Sequence, residues 1–191
     1  MRRSIKETKR ETYWKYHEAL MSQVGQIATS WATFEMLFDV LISMIHRHGG
    51  DKAVQPDLSA SLKTKIAYLR KAPRVMPVVI NLRTEANRFA DKIQILKEAR
   101  HDCLHGILLI DPDDYTVLVV RLRYEGPNLR TGGRRLTFEE INQAVLATMT
   151  LCEAGSTLFG RFAEAFQDKE AIKSFRKLAV SVPAVAIEQK D

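Results

Sequence analysis

The chain has 191 residues, a formal net charge of +6 and a pI near 9.4, enough for one well-packed domain with no need of disulfide or metal staples. Its two cysteines, Cys103 and Cys152, sit inside apolar helical patterns without disulfide-framework or zinc-motif spacing; they read as small core residues of a reduced, cytoplasmic protein. No apolar run approaches the roughly 18 residues of a membrane span, the opening MRRSIKETKRETYW lacks a signal peptide's apolar centre, and the basic balance points towards a polyanionic partner such as nucleic acid.

Residues 1–12 form a basic lead-in carrying Arg2, Arg3, Lys6, Lys9 and Arg10, either a frayed helix start or a phosphate-contacting arm. From Tyr13 to Ile45 the apolar residues Leu20, Val24, Ile27, Trp31, Phe34, Phe38 and Leu41 recur at steps of three and four. That spacing predicts one face of an amphipathic helix on the order of 50 Å long at ~1.5 Å per residue. Met21, Ala28, Leu37 and Ile42 broaden the stripe, so the helix belongs in a bundle. It stops at His46-Arg47-His48-Gly49-Gly50, where histidines spaced by two suit a cationic, glycine-capped helix end better than a metal site.

Residues 49–58 read as a loop, after which Ser59 or Ser61 can cap a shorter helix through Leu62, Ile66 and Leu69 that ends near Ala72-Pro73. Pro77 can open the next helix, although the run VVINL is β-prone and leaves its start between 77 and 84 open. From Thr84 the helix is clear, with a seam of Leu82, Ala86, Phe89, Ile93, Leu96, Arg100 and Cys103. A guanidinium stands where the neighbouring turns place apolar side chains, and arginine is rarely buried unless paired or functional.

After Gly106 the period changes: ILLI, the turn Asp111-Pro112-Asp113-Asp114, and TVLVVRLRY together predict a β-hairpin over about 107–124. The segment NLRTGGRRL reads as a loop whose Arg130, Arg134 and Arg135 are candidate phosphate contacts. Thr137 with Glu140 forms a capping box for the last long helix, with a seam from Ile141 through Val145, Thr148, Cys152, Gly155 and Phe159 to Phe166. The expected architecture is mainly α: an up-down bundle of four to five helices with one inserted hairpin, a single domain over 13–167, then a short helix and loosely ordered tail over 168–191.

The stretch Lys97 to Gly106, KEARHDCLHG, admits three uses. His101 and His105, four apart, share a helix face and can bind metal, but a third ligand is needed and Asp102 points about 100° away. Arg100 can pair with a carboxylate such as Glu35 while the histidines finish the helix. Or a histidine can move the proton of a ribose 2′-hydroxyl or of the leaving oxygen while an arginine stabilises charge on the phosphoryl oxygens. Arg100 and His105 are separated by about 140° around the helix, so one helix does not aim both at one phosphate. A two-fold dimer apposing two such helix ends does.

Here the chain resembles the HEPN superfamily of helical nucleotide-binding and ribonuclease domains. The resemblance spans Glu18 to Phe166 and rests on the first helix with Trp31 and Phe34-Glu35, on Arg100, His101 and His105 as an Arg-polar-x3-His pattern, and on the following Gly106 and downstream helix. It implies a metal-independent endoribonuclease with a composite site across a homodimer, needing no cofactor, with RNA as substrate. It also implies a possible role as toxin of a toxin–antitoxin or other defence system, and hence an antitoxin or other regulatory protein as partner. By resemblance Arg100 and His105 are catalytic, and His101 supports them, with Asp102 and Glu35 as further supporting candidates. The sequence departs from the pattern at His101, where asparagine or aspartate is usual, and at Ile107, where one toxin subgroup has a tyrosine. The family also holds non-catalytic binding members.

Overall fold

A computed structural model describes residues 5–50, 61–125 and 128–174. The loop expected over 49–58 and the tail of the 168–191 segment lie, for the most part, outside the described residues. The chain is mainly α with a small antiparallel sheet inserted. Its elements are α1 (Ile5–Ile45), α2 (Leu62–Val75), a 3₁₀ segment (Pro77–Leu82), α3 (Arg83–His105), β1 (Ile107–Ile110), β2 (Val117–Glu125), β3 (Asn128–Leu136) and α4 (Phe138–Ala165). They fall into two compact units, Met1–Asp39 with Arg88–Gly155, and Val40–Asn87 with Ser156–Asp191.

The first unit carries the stretch of interest. The α1 stripe is buried at Leu20, Ile27, Trp31, Phe34 and Phe38, as its three- and four-residue spacing requires. Trp31 meets Arg100 while Phe34 and Phe38 both meet Phe89, so α1 and α3 run antiparallel. Cys152 donates through Sγ to the Ser30 carbonyl at 3.2 Å, and Leu20 and Ile27 share a core with Ile141 and Val145, so α4 runs parallel to α1. That core also takes Cys103 from α3 and Ile110, Val117, Val119 and Leu136 from the sheet. By length and composition α1 is apolar enough to cross a bilayer; the same apolarity is what its buried positions in this core use.

The sheet has the order β1-β2-β3, all antiparallel. Its first turn is set by two aspartates: Asp111 Oδ1 accepts from the Asp113 amide at 3.0 Å, and Asp114 Oδ1 from the Thr116 amide at 2.9 Å. The expected hairpin is present, but NLRTGGRRL is a strand and not a loop. β2 is nine residues long against four in β1, and its second edge is satisfied by pairing with β3 from Val117↔Leu136 to Glu125↔Asn128. Tertiary pairing overrides the poor strand propensity of glycine and asparagine.

In α4 the capping box closes both ways: the Thr137 amide donates to Glu140 Oε2 at 2.7 Å and the Glu140 amide to Thr137 Oγ1 at 3.1 Å.

In the second unit α1 ends as Gly49 takes φ 113, the left-handed conformation a glycine supplies cheaply. His48 stacks on Phe166 and bonds Asp168 through Nε2 at 2.8 Å, with Arg47 on the same carboxylate. Asp168 also caps the helical turn over 169–174 by accepting from the Ala171 amide at 2.9 Å. Ser61 caps α2 through the Thr64 amide at 3.2 Å. α2 continues past Pro73 to Val75, two residues beyond the expected end. VVINL is neither strand nor α-helix but the 3₁₀ entry to α3.

Candidate functional site

Arg100 lies on the buried seam of α3, half-buried, with its guanidinium carbon 5.5 Å from the centroid of the Trp31 ring. Such cation–π contacts are worth about 0.5–2 kcal/mol depending on desolvation. Among the described residues it has no carboxylate partner: Glu35, the expected one, is half-buried on α1 without an ion pair to it. Arg100 Nε and Trp31 Nε1 are both buried donors without an acceptor. Two unsatisfied donors at one place are unusual inside a protein.

His101 and His105 are exposed, with ring centroids 5.2 Å apart and planes tilted by 52°. No hydrogen bond, ion pair or ring contact joins either to Arg100 within the chain, so the structure brings the histidines together and leaves the arginine apart. Gly106 follows the end of α3 at a point where a side chain has no room. A Cβ would lie 2.5 Å from the Asp102 carbonyl oxygen and 2.7 Å from Val119 Cγ1, which closes the helix directly onto the sheet.

Asp102 is fully buried and forms a charge cluster that sequence reasoning missed. Arg121 donates through Nε to Oδ1, and Arg134 Nη2 forms an ion pair with Oδ2 at 2.6 Å. Arg121 also reaches Glu98 Oε2 at 3.2 Å and the Glu98 carbonyl at 3.3 Å. Burial pushes the Asp102 carboxyl up, but the Arg121 hydrogen bond and the charges of Arg134 and Arg121 outweigh it and hold the pKa below the ordinary aspartate value. Desolvation and the neighbouring Asp102 charge push the Cys103 thiol up to about 11, which leaves it a poor nucleophile.

The three arginines expected to contact phosphate divide. Arg135 is tied to Asp111 at 2.9 Å and Asp114 at 3.3 Å on the turn side of the sheet. Arg130 and Arg134 line an open groove of about 500 Å³, together with Arg121, Glu98, Asp102 and the backbone of Gly132 and Gly133. Arg121 was legible in principle: Val117, Val119 and Arg121 alternate onto one strand face, and the first two are fully buried. Asp102 as the matching anion was not, since nothing local ties it to β2 or β3.

No family model, curated protein or solved structure matches the chain. What the site can do therefore rests on its own chemistry. It holds a cation without a counter-ion among the described residues, a solvent-facing histidine pair and a basic groove within one unit.

Proposed function

We infer that the chain is a HEPN-like, metal-independent endoribonuclease whose site is completed by a second copy of itself. The carrying observation is Arg100, a half-buried cation over Trp31 that has no carboxylate partner among the described residues, although Asp102 stands two positions away. An arginine serving only structure at a seam position is expected to be paired. One held without a counter-ion is set to receive an anion.

In this reading a histidine takes the proton of the ribose 2′-hydroxyl, the oxygen attacks phosphorus, and the 5′-oxygen leaves with a proton from a second acid. His105 supplies one of these two roles at each of the dimer's two sites. Arg100 stabilises the charge on the phosphoryl oxygens, and His101, 5.2 Å from His105 ring to ring, supports it. Because Arg100 and His105 project about 140° apart on α3, the arginine and histidine at one phosphate come from different copies. Its cysteine usage suits the cytoplasm, and by the same resemblance the protein acts as a toxin or defence nuclease held in check by an antitoxin or other regulatory protein. The competing reading, a non-catalytic HEPN-like module that binds protein or nucleic acid, draws on the lack of any contact between Arg100 and His105 within one chain.

Subunit mixing separates the two. Arg100→Ala and His105→Ala homodimers are each expected to be inactive, whereas a dimer of one with the other keeps one intact site. An equal mixture therefore regains up to about a quarter of wild-type cleavage. A mixture as inactive as its components contradicts the composite site.

A further inference from the structure

We propose that the groove formed by α3, β2 and β3 binds the sugar-phosphate backbone of single-stranded RNA and leads it to the histidine face of α3. The ligand class rests on the ribonuclease reading above; the site does not, since it is built from other residues.

Three guanidinium groups, on Arg121, Arg130 and Arg134, line this one groove of about 500 Å³. Among the described residues that line it, the acidic ones are Glu98 and the fully buried Asp102. Asp102 acts as a positioning residue. Buried beneath the arginines, it fixes Arg121, whose side chain is only 17% exposed, and anchors Arg134, which remains 54% exposed and faces solvent. A cation held by a buried carboxylate on one side and open to water on the other can offer its remaining donors to phosphate oxygens at little cost in conformational freedom.

The strand floor suits a polymer backbone. Gly132 is paired with Arg121 in the sheet register, and no atom stands within 4 Å of where its Cβ would be, so this part of the floor is open. Gly133 and Thr131, on either side of it, also border the groove. At Gly132 no side chain fills the floor, and Arg130 and Arg134, two positions to either side of it, share its strand face.

Helical geometry gives the groove its direction. At about 100° per residue, Glu98, Asp102 and His105 fall within about 60° of one another on α3, whereas Arg100 lies about 160° from Asp102. The two groove-lining residues of α3 are Glu98 and Asp102, so His105 sits on the groove side, one turn further along. Arg100 sits on the other side, over Trp31. An RNA strand in the groove therefore approaches His105 of its own copy, and the arginine acting on the same phosphate comes from the second copy. Arg135, tied to Asp111 and Asp114, takes no part.

The test is fluorescence anisotropy with a labelled single-stranded RNA bearing 2′-O-methyl groups throughout, which cannot be cleaved, in EDTA and over about 50–200 mM salt. Arg130→Gln with Arg134→Gln is compared with Arg88→Gln with Lys92→Gln, which removes the same charge from exposed α3 positions outside the groove lining. The groove pair is expected to weaken binding at least tenfold and to flatten the salt dependence by about one to two ions, with the control pair near wild type. Gly132→Glu, which adds a carboxylate on the groove face where no atom stands within 4 Å of the added Cβ, is expected to weaken binding likewise. Groove variants that bind as tightly as the control pair overturn the proposal. Because this RNA is never cut, loss of binding in the groove variants supports the site even if the wild type proves unable to cleave RNA, and active cleavage with unchanged binding overturns the groove alone.

Discussion

Asp102→Asn keeps the shape of the side chain and removes its charge. In the native chain one oxygen accepts from Arg121 Nε and the other lies 2.6 Å from Arg134 Nη2, with the carboxylate fully buried. The amide leaves one oxygen to accept and turns an NH₂ group towards an arginine. Breaking a buried ion pair by removing one partner costs roughly 3–5 kcal/mol. Here Arg121 keeps Glu98 at 3.2 Å, and Arg134, about half exposed, can turn into solvent. The expected loss is therefore about 2–3 kcal/mol at neutral pH, below the usual range. The pH dependence has a definite sign. A carboxyl whose folded pKa is depressed adds stability above its unfolded value near 3.9, and that contribution is lost as pH falls through the folded pKa. Urea denaturation at several pH values should show a gap between wild type and variant that is constant above about pH 5 and shrinks below about pH 4. A gap under about 1 kcal/mol at neutral pH, or one that persists undiminished in acid, would refute the buried-cluster reasoning.

Gly106→Ala places a methyl group against the Asp102 carbonyl and Val119, and is expected to destabilise the chain by about 1–3 kcal/mol on thermal unfolding, with Ala-for-Gly at the open Gly132 costing less. Burial raises both thiols, Cys103 to about 11; alkylation of the buried Cys103 at mildly alkaline pH should proceed only at the rate of opening, and its rapid labelling would contradict its placement. Asp168 should titrate at about 2 by carboxyl NMR, held down first by the His48 bond and then by the Ala171 amide and Arg47. Its contribution to stability is present above about pH 4 and lost as pH falls towards 2, and His48→Gln should move the titration upward.

Most of the helical framework was legible because it is written in short-range periodicity. The stripe of α1, the seam of α3 and the capping box at Thr137 each depend on residues three or four apart, and the structure buries or bonds those residues. The anomaly of Arg100 was legible for the same reason, as a charge breaking its own helix's register. That Glu35 is not its partner was not legible: excluding it needs the side-chain geometry of α1 against α3. β3 was missed because it is a strand only by virtue of the open edge of β2, and Asn128, Gly132 and Gly133 carry no strand signal of their own. The Asp102–Arg121–Arg134 cluster joins three elements across 19 and 32 positions of chain, a relation that no local spacing encodes.

The central claim is that Arg100 and His105 cut RNA without metal. Cleavage of a labelled single-stranded RNA by the wild type, Arg100→Ala and His105→Ala in the presence of EDTA tests it directly. Wild-type cleavage that survives EDTA and falls by about a hundredfold or more in each variant is the predicted result. Equal residual cleavage in all three proteins, or wild-type cleavage abolished by EDTA, would contradict it.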